Sequence, residues 1–213
     1  MLETATIVTG CAAAVFGYSF ASAWLRRGAP FVPTAARKID AIFATSDGLL
    51  SRLPSSRRHH LIDLGAGSGT LVRAAVRQGK FDRATGYEIN PALVSIARLV
   101  ASDSEAHRLQ SLWEADLTDC DVVCVYGVPS MMDDLAAKLC NELPDGSHVC
   151  SNLFELPSSA SGTRPSAAAT AVARLTEVDR RWVDAGRWSM DDSGYVRLYR
   201  VDRDAGDGGV SSR

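Results

Sequence analysis

The sequence predicts an α/β fold of the Rossmann-like kind, built on a mainly parallel sheet, and three observations carry that expectation. From residue 60 onward, strand-like apolar runs alternate with helical stretches of ordinary length, the pattern of consecutive βαβ units. The first strand runs directly into a glycine-rich loop, Asp63-Leu-Gly-Ala-Gly-Ser-Gly69, that opens a helix. An acidic residue, Glu88, then closes the next strand-like run, Ala84-Thr-Gly-Tyr-Glu88.

The elements follow in order. Residues 4–25 carry no charge, and Arg26-Arg27 come at once after them. As a helix rising 1.5 Å per residue this stretch would reach roughly 33 Å, about the thickness of a bilayer's hydrocarbon. A secretory signal, a cleaved presequence and a buried N-terminal helix are competing readings. The first lacks a positive leading region, and the second would be Arg-rich and free of Glu3. We read residues 1–27 as an uncleaved hydrophobic membrane or targeting segment, with the membrane contact through residues 4–25. Phe31-Val-Pro-Thr34 leads into an amphipathic stretch with Ile39, Ile42, Phe43, Leu49, Leu50 and Leu53 near helical spacing. Thr34 is its expected N-cap, Gly48 its expected break, and residues 54–58 a turn.

Strand His60–Leu64, helix Thr70–Gln78, strand Ala84–Ile89 and helix Pro91–Ala101 come next, with Pro91 well placed in a first helical turn. Strands Ser111–Asp116 and Val122–Val128, helix Met131–Leu143 and strand His148–Phe154 complete the alternation. After a Ser/Ala/Pro-rich stretch, Glu177–Val183 and Tyr195–Val201 suggest a hairpin that adds an antiparallel edge. One domain is therefore expected over residues 28–201. Residues 202–213 show no apolar periodicity and read as a disordered tail.

Composition limits the function classes. A chain of 213 residues has room for one sizeable core, and a net charge of −2 gives no electrostatic case for nucleic acid. The cysteines, Cys11, Cys120, Cys124, Cys140 and Cys150, form no C-x-x-C pair and no metal-ligand spacing with the four histidines. Buried free thiols in a reducing compartment are expected, with no metal.

The chemistry lies in the glycine loop. Gly65, Gly67 and Gly69, with the small Ala66 between the first two, let backbone turn sharply and approach a ligand closely. A nicotinamide-binding loop would read G-x-G-x-x-G, but here the last glycine comes one residue early. The acidic Asp63 before the loop suits a ligand with a cationic amino group, and S-adenosylmethionine has one. Glu88 is placed to accept from ribose hydroxyls, as the carboxylate about twenty residues after such a loop does. Asn90, beside it, shapes that loop or caps a helix. Asp116, with Leu117 after it, ends the expected third strand, where a carboxylate can accept from an adenine amino group.

Five runs then resemble one family: FVPT (31–34), DLGAGSG (63–69), GYEINPALV (86–94), LWEADL (112–117) and YGVPSMMDDLAAKLCNELP (126–144). They are similar to the mitochondrial seven-β-strand protein-lysine methyltransferases that modify the adenine nucleotide translocase or the ATP synthase c subunit. The likeness covers roughly residues 31–157, and GVPSMM is its most diagnostic part. Tyr126 stands where the family more often has Phe, and the chain after Pro157 matches poorly.

The resemblance implies a class I methyltransferase sheet of seven strands behind an N-terminal hydrophobic transmembrane helix. It implies S-adenosylmethionine as donor and, as partner, a membrane protein presenting a lysine. The implied place is the mitochondrion, at the inner membrane with the catalytic domain in the matrix, as Arg26-Arg27 would also direct. Thr34 and its neighbours would cover the donor. Tyr126 and the Val128-Pro129-Ser130 backbone, at the end of the fourth strand, would line the channel for the amine, with no residue standing out as a general base. Two rival readings are a small-molecule methyltransferase and a membrane-tethered donor-binding protein without catalysis.

Overall fold

The computed structural model describes residue 17 and residues 31–54, 59–157, 173–186 and 191–203. The uncharged N-terminal segment therefore lies, but for Gly17, outside the described residues, as does the tail beyond residue 203. Among the described residues no helix is long and apolar enough to cross a membrane.

Seven strands form one sheet: β1 (His59–Leu64), β2 (Phe81–Glu88), β3 (Glu105–Leu109), β4 (Val122–Val125), β5 (His148–Asn152), β6 (Ala173–Val183) and β7 (Gly194–Arg203), in the order β3-β2-β1-β4-β5-β7-β6. The first five are parallel; β7 runs antiparallel to both β5 and β6. The alternation of side chains divides the core between the two faces. Ile62, Leu64, Val123 and Val125 point to one face, against Leu135 and Leu139 of α4 (Met132–Glu142). Leu61, Val122 and Cys124 point to the other, against α1 (Ala36–Phe43) and α2 (Thr70–Gln78). The order of the strands reverses between β1 and β4, and that reversal opens a crevice at their carboxyl ends.

Local chemistry sets the helix ends. Gly69 and Gly79, both left-handed, bracket α2. At α3 (Pro91–Leu99) the Asn90 side-chain oxygen accepts from the Ala92 and Leu93 backbone N–H groups, and Pro91 takes the first position, where no N–H is needed. The four described cysteines, Cys120, Cys124, Cys140 and Cys150, are buried and free.

Several expectations are corrected. The third strand is Glu105–Leu109, not Ser111–Asp116. Its ladder closes with Gln110 N–H donating to the Glu88 carbonyl, and Leu112–Glu114 then forms a 3₁₀ turn capped by the Ser111 hydroxyl. Thr34 is not the cap of α1: Ala35 holds that position, and its N–H donates to the Asp191 carboxylate. The amphipathic stretch is two elements, α1 and a 3₁₀ turn at Leu49–Arg52, with Gly48 between them as expected. Strand β4 stops at Val125 and α3 at Leu99, while β7 runs on to Arg203, whose guanidinium donates to the Leu143 carbonyl.

Candidate active site

The loop after β1 is held from beneath. Gly65 and Ala66 N–H both donate to the Tyr87 carbonyl, at 2.9 and 3.0 Å, which pins the turn to the end of β2. Gly67 has φ +53°, and a side chain there would overlap the ring of Phe31, which lies against the loop. Gly69, φ +78°, carries the chain into α2 in a conformation that costs other residues energy.

Glu88, half-buried at the end of β2, points back at this loop. One carboxylate oxygen accepts from Gly67 N–H at 2.9 Å and the other from Asn90 N–H at 2.8 Å. Each oxygen keeps a second lone pair for a ligand hydroxyl. Asp63 behaves differently. It is only 3% exposed, and among the described residues no hydrogen bond reaches its carboxylate. Burial, and then the charge of Glu88, push its pKa up to about 7. A buried carboxylate without a donor is costly in the empty protein. A cation delivered into the cleft would satisfy it.

These groups line a cleft of about 390 Å³. Phe31 to Thr34 line it beside the glycine loop. Glu88 and Ile89, with Gln110 to Trp113, form one end, and Tyr126, Gly127, Val128, Met131, Leu153, Phe154 and Asp192 form the other. Leu153 is held at φ 69°, its N–H donating to the Tyr195 carbonyl and its own carbonyl accepting from Arg197. A bulky residue in that region is strained, and Leu153 is among those that line the cleft. Among the described residues no group of three or more His, Cys, Asp or Glu is placed to hold a metal.

Of the residues expected at the site, Thr34, Asp63, Gly65, Ala66, Gly67, Glu88, Tyr126 and Val128 line the cleft. Gly69 and Asn90 act from behind, by starting α2 and capping α3. Four do not reach it. Leu117 is fully buried in the core. Asp116 is exposed, and its carboxylate accepts from the Thr118 N–H and hydroxyl at 3.0 and 2.7 Å, bonds that lower its pKa. The turn that replaces the expected strand sets Gln110 and Ser111 in the cleft wall instead. Pro129 borders a neighbouring hollow, and Ser130 is exposed on the turn before α4. Sequence reasoning missed Gln110, Ser111, Phe154 and Asp192. The apolar pair Leu153-Phe154 just after β5 was a signal for Phe154; Asp192, in the β6–β7 loop, offered none.

This strand order, with a glycine loop after β1 and a carboxylate ending β2, defines the chain as one with the class I methyltransferase fold. Among solved structures, an RNA methyltransferase from Salinibacter ruber in complex with S-adenosyl-L-homocysteine superposes with a TM-score of 0.60 at 24% identity, over 85% of this chain and all of that one. A putative methyltransferase from Escherichia coli gives 0.53 at 18% identity, over 81% and 89%.

Within that class the resemblance read from the five sequence runs is borne out: residues 63–162 match the model of the ANTKMT methyltransferase domain. The chain is 38% identical over 138 residues to the mouse adenine nucleotide translocase lysine N-methyltransferase, covering 62% of this chain and 56% of that protein. It is 33% identical over 133 residues to the human lysine N-methyltransferase of the ATP synthase c subunit, covering 60% and 53%. The chain thus spans about half the length of the curated relatives it matches.

Proposed function

We propose that this protein is an S-adenosylmethionine-dependent protein-lysine N-methyltransferase. Its acceptor is a lysine of a mitochondrial membrane protein, of the kind named in its relatives: the adenine nucleotide translocase or the ATP synthase c subunit. The observation that carries the reading is Asp63, a buried carboxylate that no hydrogen bond reaches among the described residues, facing a cleft between a glycine loop and Glu88.

The residues present fit the donor. Asp63 takes its ammonium group, the glycine loop closes on its methionine part, and Glu88 accepts from its ribose hydroxyls. Gln110 and Ser111, in the place expected for Asp116, supply the polar groups at the far end of the cleft. When bound, S-adenosylmethionine supplies a methyl group already activated on a sulfonium sulfur. The protein's own work is alignment and desolvation of the attacking amine. A lysine near pH 7.4 is almost wholly protonated, and exposing its free amine costs roughly 4 kcal/mol. Val128, Leu153, Phe154 and the Tyr126 ring make the acceptor end of the cleft mostly apolar, which disfavours the ammonium form. Asp192, exposed in the same wall, draws the cation to the mouth before it is desolvated.

Membrane tethering through residues 4–25, with the domain on the matrix side of the inner membrane, completes the proposal, since confinement to one bilayer raises the effective concentration of a membrane acceptor. The domain is taken as residues 28–201 between that segment and the tail. The test is to incubate the full chain with isotopically labelled donor and detergent-solubilised mitochondrial membranes, then map labelled lysines by mass spectrometry. Label on a membrane-protein lysine supports the reading. Label confined to small molecules would move it to the first rival, and donor binding without any transfer to the second.

A further inference from the structure

One carboxylate, that of Asp191 in the loop joining β6 to β7, ties together three stretches of chain beside the acceptor end of the cleft. Its Oδ1 accepts from Lys38 Nζ at 2.8 Å, and both side chains are 0% exposed. Its Oδ2 accepts from the Ala35 backbone N–H at 3.0 Å, at the start of α1. The Tyr126 phenol lies close enough to the same carboxylate that burial, and then the charge of Asp191, hold its pKa above the ordinary value. Lys38 Nζ completes the arrangement, 5.5 Å from the centroid of the Tyr126 ring. The phenol is thus met over its face by the ammonium and beside its oxygen by the carboxylate.

Each anchored point adjoins a residue that lines the cleft. Thr34 precedes Ala35, Asp192 follows Asp191, and Tyr126 lines the cleft itself. A wholly buried ion pair is a poor means of gaining stability, because apolar residues of similar volume hold a core as well or better. What the pair adds is a fixed geometry across segments far apart in sequence. We propose that Lys38 and Asp191 are positioning residues for methyl transfer, which act through Tyr126 by holding its ring and hydroxyl at the wall the acceptor amine meets. The inference rests on the lysine methyltransferase reading above and adds to it two residues that touch neither donor nor acceptor.

The experiment uses the full chain with the pair replaced by apolar residues of similar size, Lys38→Met with Asp191→Leu, alone and combined with Tyr126→Phe. Donor-site affinity is read by calorimetry with S-adenosylhomocysteine, and transfer by label incorporation into solubilised mitochondrial membranes at saturating donor. The pair replacement should leave affinity within about threefold of wild type and slow transfer about tenfold. In the Tyr126→Phe background it should slow transfer no further, because the hydroxyl it positions is already gone. Wild-type transfer by the pair variant, or an equal loss in both backgrounds, would overturn the inference, as would a loss confined to donor affinity. A wild-type chain that transfers nothing to membranes overturns the functional reading, and this inference with it. Should the pair variant not fold, Lys38→Gln with Asp191→Asn keeps an oxygen for the Ala35 N–H without leaving a buried charge unpaired, and carries the same expectations.

Discussion

Asp63→Asn separates a carboxylate waiting for a cation from one that merely fills space. In the empty protein the Asp63 pKa stands at about 7 against an ordinary 3.8, first through burial and then through Glu88. About three units correspond to roughly 4 kcal/mol of preference for the neutral acid. The sign follows from linkage. Between the two pKa values the folded chain binds more protons than the unfolded one, so stability falls as pH rises from about 4 to about 7 and then levels off. Asp63→Asn should remove that slope and stabilise the empty protein above pH 7, by about 1–3 kcal/mol once the unmade bonds of the amide are discounted. Donor binding should respond in the opposite sense. An ammonium needs the ionised carboxylate, so wild-type affinity should fall about tenfold per unit as pH drops below 7. The donor's own amino group loses its proton near pH 8, which puts the optimum between. Calorimetry with S-adenosylhomocysteine at pH 6, 7 and 8, beside urea unfolding of the empty proteins, reads both effects. A wild-type affinity flat across that range, or the same pH dependence in Asp63→Asn, would refute the assignment of Asp63 to the donor's ammonium.

Glu88→Ala should weaken donor binding tenfold or more and lower the melting temperature, since Gly67 and Asn90 N–H lose their acceptor; an unchanged dissociation constant counts against the ribose role. Gly67→Val places a branched side chain at φ +53° and into the Phe31 ring, so donor binding should be lost; a folded variant with wild-type affinity would mean the loop does not contact the donor. Asp116→Ala should change donor affinity less than about twofold, its carboxylate being occupied with Thr118 outside the cleft; a tenfold loss in calorimetry would restore it to the site. Deleting residues 2–25 should leave donor affinity intact and abolish the carbonate-resistant membrane fraction in cells. Loss of donor binding instead, with a full-length chain that washes off membranes, would make the segment a packed helix.

The elements legible in the sequence are those whose ends are marked by local chemistry. Helix α2 was expected at Thr70–Gln78 and is found there, because glycines able to adopt left-handed conformations stand at both ends. The start of α3 was equally plain from Asn90-Pro91. Strand β3 was not. It is an edge strand of five residues, Glu105-Ala-His-Arg-Leu109, on which Arg108 and Leu109 face solvent, so no apolar alternation announced it. The nearby apolar pair Leu112-Trp113 drew the expected strand onto a turn, and the misplacement carried Asp116 and Leu117 into the expected site with it.

The same distinction holds in the cleft. The glycine loop and Glu88 meet through adjacent parallel strands, a pairing that any βαβ unit imposes, so their contact was readable from spacing alone. Lys38 and Asp191 stand 153 residues apart and meet only because β7 inserts between β5 and β6 and brings its loop back over α1. No local pattern encodes that. Chain pairing also explains why the two buried carboxylates differ in kind. Asp191 is neutralised within the fold by a lysine and a backbone N–H, as buried charges generally are. Asp63 sits on the strand that the sheet order places at the crevice, and among the described residues nothing in the fold donates to it. A position that breaks the rule its neighbour obeys is where a fold leaves room for a ligand to complete it. On the proposed reading the donor's ammonium is the partner that completes β1, which is why the pH dependence of binding, more than any loss of activity, is the measurement that decides the site.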